Sequence, residues 1–236
     1  MTTIERIHIM LAVGDGTTMA AHVAKPGDNG THPGILVFQE AFGVNSHIRD
    51  ICERFAKEGY LAIAPEFFHR TAPGFEGRYD DFPAVRPHVS ALSNDQMQLD
   101  IRAANDWLFP RTNGDIVSIG FCMGGRVSFL ANATVELRAA VSFYGGGIAA
   151  GLLDRVPHLH APMMMFWGGL DKHIALTDIR AIVDALRRAD KEYVNIEISH
   201  ADHGFFCDAR PSYNRHAAEQ AWGLVLSFFK SHHQLV

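Results

Sequence analysis

Five short, almost unbroken apolar runs recur along this chain: Gly34–Phe38 (GILVF), 61–64 (LAIA), 116–119 (IVSI), Ala139–Phe143 (AAVSF) and 162–167 (PMMMFW). A strand with one wet face alternates apolar and polar residues, so unbroken runs mark strands buried on both faces. Segments with helical spacing lie between them. One starts near Ser46, carries Ile48, Ile51, Cys52 and Phe55 on one face, and stops at Gly59. A second is capped by Asn94, runs through Met97, Ile101, Ala104 and Leu108, and ends at Pro110. A third follows Gly124-Gly125 to about Ala133, and a fourth aligns Leu176, Ile179, Val183 and Leu186. A last strand is expected at 194–198, then a helix with Ala217, Ala221, Leu224 and Phe228 in register.

Buried strands alternating with amphipathic helices predict an α/β fold, a mainly parallel twisted sheet with helices on both faces. Two β-like stretches at 4–13 and 18–24, joined by Gly14-Asp15-Gly16, predict an N-terminal hairpin on one edge. No repeat, low-complexity tract or linker interrupts the pattern, so one domain over 1–236 is expected. Residues 65–93 are the irregular part, aromatic and proline-bearing. A connection that long in a compact domain is usually functional, as a site wall or lid.

Composition narrows the function classes. The net charge is −5 and the 21 Lys and Arg residues are scattered, which argues against a nucleic-acid groove or an anionic-membrane surface. Three cysteines, Cys52, Cys122 and Cys207, make a poor disulfide framework. The N-terminal MTTIERIHIM has no basic segment followed by a long apolar core, and no run approaches a membrane span. The expectation is a cytoplasmic protein of a reducing compartment. Fourteen histidines are many, but no metal-ligand spacing joins them, so no metal site is expected.

The sharpest local signal is Gly120-Phe121-Cys122-Met123-Gly124, which follows a buried strand and opens a helix. A G-x-nucleophile-x-G elbow needs that strand–turn–helix context. Its glycines let strand and helix approach, and the helix N-terminus offers N–H groups to a thiolate or oxyanion. The nucleophile here is a cysteine. The bland alternative is a buried structural cysteine between packing glycines.

Two later residues favour the functional reading. Asp171 follows the fifth apolar run, and His203 follows the last strand, both at strand C-terminal ends where open α/β sheets gather their sites. Nucleophile, acid, histidine is the triad order of this fold. His203 would take the thiol proton, and Asp171 would orient the imidazole and stabilise its charged form. Asp178 and His200 are the rivals for these two roles. Gln39-Glu40-Ala41-Phe42-Gly43 follows the first buried strand, where Ala41 N–H would join Met123 N–H in an oxyanion hole. Glu40 opposes an oxyanion there, but makes sense as a partner that keeps the thiol neutral until substrate displaces it. Its bland reading is a solvent-facing loop residue.

These stretches resemble the dienelactone hydrolase family of carboxymethylenebutenolidases. The matching blocks are Gln39-Glu40-Ala41-Phe42-Gly43-Val44-Asn45, Ala64-Pro65-Glu66-Phe67-Phe68 and Gly120-Phe121-Cys122-Met123-Gly124-Gly125. Phe143-Tyr144-Gly145, Trp167-Gly168-Gly169-Leu170-Asp171 and His203-Gly204-Phe205 complete the set. The resemblance implies an α/β-hydrolase fold, a Cys122–His203–Asp171 triad, and Glu40 as partner of the resting thiol and acceptor of its proton. It implies hydrolysis of a small enol-lactone such as dienelactone to maleylacetate, with no metal or organic cofactor, and suggests a monomer. Phe42 and Tyr144 are expected to line the substrate site. Family members hold the substrate carboxylate with arginines, one of them four residues beyond the histidine, where this chain has Cys207. Arg210 on the same loop is the candidate replacement, with Arg78 and Arg86 as candidates for the second arginine. Three other readings use the same residues: a general small-ester or lactone hydrolase of the same family with a different natural substrate, a ligand sensor without turnover, and a redox thiol at Cys122 resolved by Cys207.

Overall fold

The computed structural model describes residues 3–233. Contacts gather into two units, one up to Val117 and one from Ser118 onward. In the first, β1 (Ile4–Ala12) and β2 (Thr18–Pro26) form the expected antiparallel hairpin, with Met10 opposite Ala20. β2 pairs antiparallel with β4 (Leu61–Pro65), which pairs in parallel with β3 (Gly34–Phe38), so β1 lies at an edge. Every residue of β3 and β4 is buried. Side chains of a strand point alternately to its two faces, so both faces must be covered. Helices α1 (Ser46–Lys57) and α3 (Asn94–Leu108) both contact these strands.

The side chain of Asn45 caps α1 by accepting from Ile48 N–H, and Ile48, Ile51, Cys52 and Phe55 face inward as their spacing predicts. The cap of α3 is Ser93, whose hydroxyl accepts from Gln96 N–H, rather than Asn94, which is the first helical residue. Segment 65–93 contains a helix that the sequence did not announce, α2 (Phe82–Ser90). Its Pro87 reads as a breaker, and Val85 is its one fully buried residue, so it shows no apolar stripe. This segment is pinned rather than loose. Gly77 N–H donates to Phe42 O at 3.0 Å, and Asn45 Nδ2 to the Tyr79 hydroxyl at 2.9 Å. Arg70 spans Asp15 and Asp100 with bonds of 2.8 Å, and His69 reaches the same Asp100. Val85 closes a small apolar cluster with Ala41 and Phe42.

The second unit begins within β5 (Ile116–Phe121) and continues through α4 (Met123–Asn132), β6 (Ala139–Phe143) and a short α5 (Ile148–Gly151). β7 (Met163–Gly168), α6 (Leu176–Arg188), β8 (Tyr193–Ile198) and α7 (Arg215–His232) follow. β6, β7 and β8 pair in parallel, with Phe143 opposite Phe166 and Gly168 opposite Ile198. The strand C-terminal ends therefore lie together. β8 is the partly exposed strand of this set, whereas all of β6 and β7 is buried. Among the described residues, no helix is long and apolar enough to cross a membrane.

Between β5 and α4 the chain reverses in one residue. Cys122 has φ 55° and ψ −115°, a conformation that side chains rarely adopt. Its N–H donates to Phe143 O, and its carbonyl accepts from Gly125 N–H, both at 3.0 Å. A Cβ at Gly120 would collide with the Gly124 carbonyl, and one at Gly125 would stand 2.6 Å from Phe143 O. Glycine is required at both crossings. Strain of this kind costs about 1–3 kcal/mol. Cys122→Gly is therefore expected to raise stability by about 1 kcal/mol in urea unfolding, after the entropy cost of glycine. Gly120→Ala should lower it by more than about 2 kcal/mol, since backbone must move. A neutral effect of both would contradict the strained elbow.

Candidate active site

Cys122 stands at the tip of the elbow, partly exposed, at the N-terminus of α4. His203 Nε2 lies 3.1 Å from Cys122 Sγ, and His203 Nδ1 lies 2.8 Å from Asp171 Oδ2. The geometry thus brings Cys122, His203 and Asp171 into one line, in the predicted order. Two glycines make the meeting of the acid and histidine loops possible. A Cβ at Gly168 would stand 2.6 Å from Ala201 O, and one at Gly169 2.6 Å from Ser199 Cα. Leu170 N–H donates to Ala201 O at 2.9 Å, stitching the two turns together. The rivals stand aside: Asp178 is exposed in the first turn of α6, and His200 is exposed with its carbonyl taken by Asn214.

Both partners are further fixed. Asp171 Oδ1 accepts His173 N–H at 2.7 Å, and His203 N–H donates to Asp202 Oδ1 at 2.6 Å. The Tyr144 ring packs 5.0 Å from the His203 ring, and the His173 ring stands edge-on at 5.2 Å. Tyr144 is fully buried at φ 38°. The sequence reading missed His173 and Asp202; an Asp followed two residues later by the accepted N–H is an Asx turn, and Asp171-Lys172-His173 was the available signal.

Burial opposes charge on His203, but the hydrogen bonds to Asp171 and Cys122 outweigh it and push the imidazole up to about 10. For Asp171, burial works against ionisation, while the hydrogen bond and charge of His203 hold the carboxyl below its usual range. The arrangement therefore stabilises the imidazolium that His203 becomes on accepting a proton, beside a charged Asp171.

The remaining expected residues fall into three groups. Met123 opens α4, so its N–H belongs to the first turn, which has no intrahelical acceptor. Ala41 and Phe42 are buried in the turn after β3, and Glu40 beside them is completely buried, which removes the solvent-facing reading. Phe42 lies 4.6 Å from the Tyr79 ring. Of the arginines, Arg210 packs its guanidinium on the backbone of Gly204, next to His203. Arg78 instead pairs with Asp80 at 2.7 Å in open solvent, and Arg86 is exposed on α2. Cys207 is fully buried.

An imidazole raised by folding stabilises the folded state fully below its unfolded value near 6.5, and that contribution is lost as pH rises through about 10. The stability gap between wild type and His203→Gln should therefore be larger at neutral pH than above pH 10, measured by urea unfolding. A gap independent of pH would contradict the assignment of that proton.

The family model described as "Dienelactone hydrolase family" matches residues 19–233. A Synechocystis protein named "Putative carboxymethylenebutenolidase" is 37% identical over 225 residues, covering 90% of this chain and 92% of its own. An Escherichia coli O157:H7 protein of the same name is 37% identical over 233 residues, covering 92% and 84%. The crystal structure titled "Putative Dienelactone Hydrolase" from Klebsiella pneumoniae superposes with a TM-score of 0.87 at 31% identity, covering 97% of this chain and 99% of that one. The architecture is the α/β-hydrolase fold, and the chain belongs to the dienelactone hydrolase family, as a hydrolase of carboxylic ester and lactone bonds.

Proposed function

We propose that this enzyme opens a small carboxylate-bearing enol-lactone, such as dienelactone, to maleylacetate through a thioacyl intermediate on Cys122. The observation that carries the reading is the unbroken line Cys122 Sγ, His203, Asp171, with contacts of 3.1 and 2.8 Å, at a strained elbow. The 3.1 Å contact gives the thiol proton a direct path to His203 Nε2, and Asp171 stabilises the imidazolium that forms. The thiolate attacks the lactone carbonyl, and the N–H groups of Met123 and Ala41 receive the oxyanion. Collapse breaks the ring C–O bond and releases an enolate while the acyl group stays on sulfur. The enolate takes a proton from the attacking water, hydroxide cleaves the thioester to release the acid, and the His203 imidazolium returns its proton to the freed thiolate.

Glu40 restrains this chemistry in the resting enzyme. In this reading the completely buried Glu40 is the partner of the resting thiol, as the family resemblance implies. A substrate carboxylate that draws Glu40 aside lifts the restraint. Arg210, packed beside His203, is the cation that would hold that carboxylate. Phe42 and Tyr144 supply the aromatic walls of the site in this reading.

Cys122→Ala should abolish turnover of lactone and 4-nitrophenyl acetate while leaving circular dichroism unchanged, and Glu40→Gln should speed alkylation of Cys122 at neutral pH while slowing lactone opening. A Cys122→Ala enzyme with most of its rate would overturn the nucleophile, and unaltered alkylation would remove Glu40. Arg210→Gln should raise KM for a carboxylate-bearing lactone about tenfold and leave the uncharged ester within about twofold. Equal losses on both substrates would mean that Arg210 does not read the carboxylate.

A further inference from the structure

A cavity of about 180 Å³ opens in the first unit between the first half of β2, the end of β4 and the segment Gly74–Glu76. Its floor is made small by Ala20, Ala21 and Ala64, and Phe75 forms one wall. Of the polar side chains that line it, His22 and Glu66 bear most on a guest. His22 is only 4% exposed, and neither ring nitrogen has a hydrogen-bond partner. An unsatisfied buried polar atom costs about 1–3 kcal/mol, so a fully orphaned imidazole asks for a guest. Burial, with the neighbouring His8 and Arg49 charges, lowers His22 to about 4, so the ring is neutral at physiological pH and offers an acceptor nitrogen.

Glu66 supplies the charge. It is 7% exposed and takes one hydrogen bond, from Gly74 N–H. The cation that also lines the cavity, Arg49, is already committed: its Nη1 donates to Val44 O and to Glu76 Oε1, both at 2.6 Å. Arg49 pairs with Glu76, which leaves Glu66, among the described residues, as the lining carboxylate held by no cationic side chain. An anion is disfavoured there. A metal ion fits no better, because among the described residues no group of three metal-ligating side chains gathers in this cavity. The alanine floor and the Phe75 ring favour a guest with a hydrocarbon body, and an aromatic face attracts an organic cation.

We propose that this cavity is a binding site for a small primary ammonium compound, its N–H groups meeting His22 and Glu66 and its hydrocarbon body lying on the alanines and Phe75. The inference stands independently of the chemistry at Cys122. It is tested on the full chain by titrating benzylammonium, benzyl alcohol and benzoate, with the His22 ring protons followed by NMR and the heat by calorimetry. Benzylammonium should shift the His22 signals to saturation, benzyl alcohol should bind about tenfold more weakly, and benzoate should not bind. Glu66→Gln, which keeps the acceptor for Gly74 N–H, should weaken the ammonium about tenfold while 4-nitrophenyl acetate hydrolysis continues. Ala20→Leu, which fills the floor from a partly exposed position, should abolish binding. No saturable shift at His22, binding unaltered in either variant, or equal binding of benzoate would overturn the proposal.

Discussion

The crossing of β5 and α4 leaves no room for a side chain at Gly120, and the rest of the site follows from that contact. Because the helix begins so close to the strand, the intervening residue must reverse the chain alone, and Cys122 is driven to φ 55°. The same reversal carries its sulfur out of the core to the head of a helix, where N–H groups lack partners. A cysteine in a relaxed strand or helix would be one more buried apolar group. The strain is held by bonds on both sides, from Cys122 N–H to Phe143 O and from Gly125 N–H to Cys122 O.

The triad depends on a second close approach of the same kind. Gly168 and Gly169 let the turn after β7 nest against the turn after β8, which brings Asp171 to within 2.8 Å of His203. Parallel pairing of β7 and β8 sets the two turns at the same end, and the missing side chains set their separation. Electrostatics then completes what packing starts. Asp171 and Cys122 together overcome the burial penalty on the imidazole, so its charged form is stabilised where burial alone would oppose it.

How much of this could be read from residues follows from which forces decide each part. β3 and β6 match their predicted limits because an unbroken apolar run has no stable place except a sheet covered on both faces. Limits set by pairing were less legible: β2 continues to Pro26 because Ile4 lies opposite it. α2 was hidden because its prolines imitate a loop, and the short α5 was hidden because four residues carry no periodicity. In the site, Cys122, Asp171 and His203 were legible from order and strand-end position, which the topology dictates. His173 and Asp202 were not, since their roles lie in backbone N–H groups whose direction the loops decide. The arginines divide similarly: Arg210 sits on the histidine loop, whereas nothing in the residues around Arg78 announced that Asp80 would engage it.

The central claim is that acyl transfer passes through the sulfur of Cys122. Acid-quenching the enzyme during turnover of a slow acyl ester, followed by intact and peptide mass analysis, tests it most directly. The account predicts one acyl group per chain, located on the peptide bearing Cys122 and absent from Cys122→Ala. An acyl group on another residue, or steady turnover with no acyl-enzyme and undiminished activity in Cys122→Ala, would contradict it.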